Sequence, residues 1–147
     1  MESNIDYVVV EHHFDLPEEV IWKAITEHEQ MIQWFFNNIP DFKAEEGFYT
    51  EFNVRSEERE FLHQWKILEV IPGKRIVYDW QYKQYPGIGR VEFELINVRN
   101  GTNLRVSTYG LHTFPQNIPE FSRDSCRTGW NYFIKDRLRI YLESKNN

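Results

Sequence analysis

The chain predicts an α+β fold: a curved antiparallel β-sheet wrapped against one long C-terminal helix, with two short helices after the first strand. Three observations carry this. Apolar residues recur at steps of three and four through the C-terminal stretch, and the middle of the chain alternates with period two between short turn signals. The turns leave no room for crossover helices, so neighbouring strands pair antiparallel. With no repeat, linker or low-complexity stretch, one domain spanning 1–147 is expected, long enough to bury about two-thirds of its unfolded surface.

The elements follow in order. Tyr7 to Phe14 is β-branched and aromatic and reads as a first strand. Asp15-Leu16-Pro17-Glu18-Glu19 then signals a helix start, because proline suits the first helical position and acidic residues complement the positive end of the helix dipole. Val20, Ile21, Ala24 and Ile25 give that helix its buried face. A second short helix covers roughly 29–35, with Met31, Trp34 and Phe35 as its apolar side. Neither is long enough to stand alone, so both must pack on the sheet.

After Pro40 the strands expected are 42–44, 48–55, 59–71, 74–82, 88–98 and 102–112. Glu46-Gly47, Pro72-Gly73, Pro86-Gly87 and Asn100-Gly101 separate them, the last being the clearest hairpin signal. Alternation assigns the face turned toward the helix. On 88–98 it is Val91, Phe93 and Leu95, leaving Glu92 and Glu94 outside; on 74–82 it is Ile76, Tyr78, Trp80 and Tyr82. On 102–112 it is Leu104, Val106, Thr108 and, if the register holds, His112. Phe48, Phe52 and Val54 fit the same face, as do Phe61, His63, Trp65 and Ile67.

The final helix is expected over 118–143, about 39 Å at 1.5 Å per residue. Asn117 serves as N-cap and Pro119 falls in the first turn. Cys126, Trp130, Phe133, Ile134, Leu138, Tyr141 and Leu142 form its apolar stripe. Gly129 interrupts it at a cost of about 1 kcal/mol relative to alanine. Such a residue marks a bend, or a place where something comes close to the backbone.

Composition narrows the function. Aromatic residues make up 16% of the chain (five Trp, eight Tyr, eleven Phe), which means a thickly packed core or a ring-lined cavity. A net charge of −6 argues against nucleic acid or an anionic membrane surface as partner. One cysteine precludes an intrachain disulfide and suits a reducing cytoplasm. No signal peptide is read at the N-terminus, and no apolar run is long enough to span a membrane.

Chemistry is sparse. His12 and His13 are adjacent on a strand and point to opposite faces, and no His or Cys pair has zinc-like spacing, so neither metal nor cofactor is expected. Ser125 and Cys126 lie within the helix rather than on a nucleophile elbow, and Cys126 reads as an inert buried thiol. Pro86-Gly87-Ile88-Gly89 lacks the following helix of a phosphate cradle and reads as a flexible loop at a pocket mouth. The acidic stretch 41–60, seven acids against three bases, is a solvated edge or a surface for a basic partner.

The inward polar set is more informative. His63, Tyr78, Tyr82, Thr108 and His112 either satisfy one another, reach the rim, or orient a polar group of a ligand. With Trp34, Phe52, Trp65, Trp80 and Phe93, and with Trp130 and Ile134 from the helix, they make up the candidate ligand-binding set. No catalytic residue is assigned.

Four motifs carry a family resemblance. Asp15 through Ala24, with Pro17 and Trp22, resembles the opening segment of the START-like, helix-grip superfamily (polyketide cyclase, dehydrase and lipid-transport relatives). Ile67-Leu68-Glu69-Val70-Ile71-Pro72-Gly73, continuing to Tyr78-Asp79-Trp80, looks like its central strand pair. Gly101-Thr102-Asn103-Leu104-Arg105-Val106 is similar to a later strand, and Gly129-Trp130 to its C-terminal helix. Leu16 stands where alanine is usual. The nearest branch is the domain related to the activator of the heat-shock-protein-90 ATPase, although the second domain of full-length activators is not found. The resemblance runs from about Val9 to Leu142 and implies the helix-grip fold. For function it implies a binding protein for a small hydrophobic ligand (lipid, aromatic or polyketide-like) with a stress-related setting. The alternatives are a cyclase or dehydrase using interior His and Tyr groups, or a chaperone-interacting module. A chaperone and a second copy of the chain stay open as partners.

Overall fold

Period-two alternation becomes one six-stranded sheet. The computed structural model describes residues 7–145; the reading of the N-terminus as lacking a signal peptide rests partly on residues 1–6, outside the described residues. The elements are β1 (Tyr7–Phe14), α1 (Glu18–Thr26), α2 (His28–Trp34), β2 (Tyr49–Ser56), β3 (Arg59–Ile71), β4 (Arg75–Tyr82), β5 (Tyr85–Val98) and β6 (Gly101–Tyr109). The C-terminal helix follows as α3 (Arg123–Trp130), a π-helical stretch (Asn131–Leu138) and α4 (Arg139–Lys145). The strand order is β1-β6-β5-β4-β3-β2, antiparallel throughout. Only the first strand leaves sequence order, joining its far partner β6.

The inward assignments hold for the central strands. Trp65, Ile76, Tyr78, Leu104 and Val106 are fully buried, and Phe93 nearly so. Register slips by one residue between Ile67 and Glu69 on β3, and by two opposite the Trp80–Tyr82 step of β4, where β5 carries the extra residues. Bulges of this kind bend a strand and tighten its twist, which curls the sheet over the helix. Glu92 lies on the outer face as expected yet is covered, with its carboxylate 2.6 Å from Arg90 and 3.4 Å from Arg75. The helix lays Trp130, Ile134, Leu138 and Leu142 into the concave side, all buried.

Four boundaries differ from expectation. Residues 42–44 form no strand; Phe42 is instead a plug, its ring stacked 5.7 Å from Tyr78. Pro86 to Gly89 is not a loop but part of β5, with Gly89 paired to Trp80. The sixth strand ends at Tyr109, since Gly110 takes a left-handed φ of 86° and turns the chain away. The long helix begins at Arg123 rather than 118. Ser122, not Asn117, caps it, its hydroxyl accepting from the Ser125 N–H at 3.1 Å. Pro119–Phe121 forms a separate 3₁₀ turn, which folds Phe121 back against Phe61, Tyr82, Tyr85 and Phe114. The irregularity signalled by Gly129 takes the form of wider i→i+5 turns directly after it. No helix among the described residues is long and apolar enough to cross a membrane.

The β5–β6 turn is where the backbone is most constrained. Val98 pairs with Gly101 across Arg99-Asn100, and Asn100 and Gly101 both have positive φ, 69° and 142°. A Cβ on Gly101 would stand 2.1 Å from the Phe14 carbonyl oxygen. Gly101→Ala is therefore expected to lower the urea midpoint by the equivalent of about 2 kcal/mol or more. An unchanged midpoint would contradict this account of the turn.

Candidate functional site

Rings fill most of the space between sheet and helix, but not all of it. A cavity of about 280 Å³ remains, walled by β2 to β6, by the start of the C-terminal helix, by Phe35 and Phe36 after α2, and by the strap 110–122. The strap is held at both ends. Phe114 rests on Gly87 and Gly89, where a Cβ on Gly87 would come within 2.5 Å of its ring. At the other end the Glu120 carboxylate accepts from the Ser56 hydroxyl at 2.9 Å and from Arg59 at 3.2 Å. Partial burial works to raise the Glu120 pKa, but these partners outweigh it and hold the carboxyl below its usual value. On the helix side the wall is Gly129, where an added Cβ would meet nothing within 4 Å.

Polar atoms on this wall are few. His63 is 6% exposed, with its ring stacked on Phe52 at 4.9 Å and edge-on to Tyr82 at 4.8 Å. Its Nδ1 lies 3.0 Å from the Phe61 carbonyl oxygen. Desolvation lowers its pKa to about 4, against the opposing effect of that hydrogen bond, so the imidazole is neutral at pH 7. Tyr82 accepts the Trp80 indole N–H at 2.9 Å, and burial raises its phenol pKa. Thr108 accepts the Trp130 indole N–H at 2.8 Å. Burial likewise pushes up the nearby Cys126 thiol, with Thr108 opposing. A base this weak and a phenol this reluctant suit hydrogen bonding better than proton transfer at neutral pH. No group of three or more His, Cys, Asp or Glu among the described residues could hold a metal.

Five of the expected site residues meet at the cavity: His63, Trp80, Tyr82, Thr108 and Trp130. Six others pack in the core without lining it. Trp34 spends its indole N–H on the Ala24 carbonyl at 2.8 Å, joining α1 to α2. Phe52 backs His63, while Trp65, Tyr78, Phe93 and Ile134 lie deeper. The Trp65 Nε1 and the Tyr78 hydroxyl are buried with no hydrogen-bond partner among the described residues. His112 is the clear correction: the turn at Gly110 puts it on the exposed 3₁₀ segment Leu111–Thr113, outside the strand register that would have aimed it inward. Of the walls not foreseen, Leu111, Phe114, Glu120 and Phe121 belong to the strap, while Phe36 and Ser56 come from just after α2 and from β2. The strap's only sequence signal is the punctuation of Gly110, Pro115 and Pro119 around two phenylalanines.

This architecture has relatives. The family model described as activator of Hsp90 ATPase homolog 1-like protein matches residues 15–143. The chain belongs to that family. It is a member of the START-like helix-grip superfamily, as its motifs imply. Among solved structures it is similar to CV1439 from Chromobacterium violaceum, at 18% identity and a TM-score of 0.78, covering 94% of this chain and 97% of that one. MLL2253 from Mesorhizobium loti is 26% identical with a TM-score of 0.72, covering 94% and 97%. DynU16, a protein of the dynemicin biosynthetic locus, is 22% identical with a TM-score of 0.74; 97% of this chain matches 49% of that one. No functionally curated protein matches by sequence.

The buried imidazole has a consequence for stability. Its folded pKa, about 4, lies below the unfolded value of 6.5, so the unfolded chain takes up the proton more readily. Stability from this residue is therefore complete above pH 6.5 and declines as pH falls toward 4. Between pH 6.5 and 5 the loss is on the order of 2 kcal/mol, at 1.36 kcal/mol per pH unit. Urea midpoints for the parent and His63→Leu over that range are expected to show a slope that the variant lacks; equal slopes would contradict it.

Proposed function

We propose that this protein binds a small apolar ligand, an aromatic ring system or a short lipid-like chain, in the cavity between sheet and C-terminal helix. One observation carries the reading: space is kept open inside a core otherwise closed by rings, at the turn where Gly129 withholds a side chain. Helix propensity favours almost any other residue there by up to about 1 kcal/mol. The space opens to solvent on one side, so an apolar ligand entering it is stabilised by about 25 cal/mol for each Å² of apolar surface taken out of water. The volume is that of roughly nine liquid waters, which limits the occupant to one or two rings or a short chain. We read the setting as cytoplasmic, from the single cysteine.

Gly129→Leu separates this reading from a purely structural one. The variant is expected to fold, with a thermal midpoint at or above that of the parent, because the new side chain enters open space. Binding of a two-ring hydrocarbon, followed by quenching of tryptophan fluorescence, should fall at least tenfold. Unchanged binding would place the ligand elsewhere.

Family membership supports a second reading, action on a chaperone, with the acid-rich edge of β2 and its turn as the contact surface. Its test is stimulation of Hsp90 ATP hydrolysis by the purified chain, lost when Glu57 and Glu58 are both replaced by lysine. Native mass spectrometry of the same preparation reads co-purifying ligand and any second copy of the chain together.

A further inference from the structure

The polar atoms of the cavity wall do more than tolerate a ligand; they choose among ligands. This inference rests on the reading of the cavity as a binding site. A carbonyl oxygen only accepts, so the 3.0 Å contact with Phe61 puts the imidazole hydrogen on Nδ1 of His63. The Nε2 of the neutral ring is then an acceptor. Directly across the strand pair stands Tyr82. Its oxygen already receives the Trp80 N–H at 2.9 Å, which leaves its own hydrogen to give. One acceptor and one donor thus sit on adjoining residues of a wall otherwise made mostly of rings. The carboxylate at the rim, Glu120, is already engaged by Ser56 and Arg59.

A hydroxyl is the smallest substituent that can answer both atoms, donating to one while accepting from the other. We propose that the cavity selects an uncharged ring compound bearing a hydroxyl group, which donates to His63 Nε2 and accepts from the Tyr82 hydroxyl. A plain hydrocarbon leaves both protein atoms without partners, and a site built around a hydroxyl rejects the analogue lacking it. A carboxylate sets acceptor against acceptor at His63 and must also shed its water on entering an apolar space.

The experiment is a titration of the full chain at pH 7 with naphthalene, 2-naphthol and 2-naphthoate, read by calorimetry and by tryptophan quenching. 2-Naphthol should bind at least tenfold more tightly than naphthalene, and 2-naphthoate most weakly. In Tyr82→Phe, which keeps the ring and its packing, the preference for naphthol over naphthalene should shrink to less than threefold; His63→Leu should do the same. Equal affinity for naphthalene and naphthol in the parent would overturn this inference while leaving an apolar site in place. A preference for naphthoate, or a preference for naphthol that survives Tyr82→Phe, would also overturn it. Binding of none of the three would remove the site itself.

Discussion

The seat of Trp130 on the sheet is the interaction on which the rest depends. Its indole N–H reaches Thr108 at 2.8 Å, and its ring meets Trp80 and Phe93 edge-on at 5.8 and 5.6 Å. One side chain thereby ties the helix to the two central strands that carry those rings and to β6. A buried indole needs a partner for its N–H, and a threonine at an inward position of β6 supplies one without introducing charge. Because the contact is directional, it fixes rotation of the helix about its own axis. That rotation is what turns Gly129 toward the cavity and Ile134 into the core.

The cavity follows from this placement and from the strap. Sheet and helix alone would leave one end open between Phe61 and the start of α3. The strap closes it with two phenylalanines that stack on each other at 5.0 Å, one seated on Gly87 and Gly89 and the other beside the latch of Glu120 on Ser56 and Arg59. These contacts belong to a small aromatic cluster separate from the main core. The two walls therefore differ in kind: one is continuous with the core, the other is held by a few rings and one partly exposed ion pair, which contributes little on its own.

How much of this could be read beforehand depends on whether a residue sits in a repeating pattern. Val91, Phe93 and Leu95 declare their face because the period of a strand is two, and Trp130, Ile134 and Leu138 declare theirs by helical steps. His112 does not, because the left-handed backbone of Gly110, two residues earlier, ends the register. Phe114 and Phe121 have no period at all, and the prolines around them fit a helix start as well as a strap. The π-helical stretch leaves no trace beyond Gly129. Whether inward rings fill a space or line it is a matter of packing volume, which a pattern of apolar positions does not encode; hence Tyr78 and Trp80, two residues apart on one face, fall on opposite sides of that distinction.

The pairing of the first strand with the last bears on how the chain assembles. β1 meets β6 across about ninety to a hundred residues, while every other ladder joins sequence neighbours. Five strands can zip as consecutive hairpins on a fast clock, but the sixth rung waits until synthesis has passed Tyr109. During translation the hydrophobic Tyr7–Phe14 segment emerges before the other five strands, and its partner β6 is the last of them to be made. For that interval it is an unpaired edge, the kind of segment that aggregates or recruits a chaperone of its own.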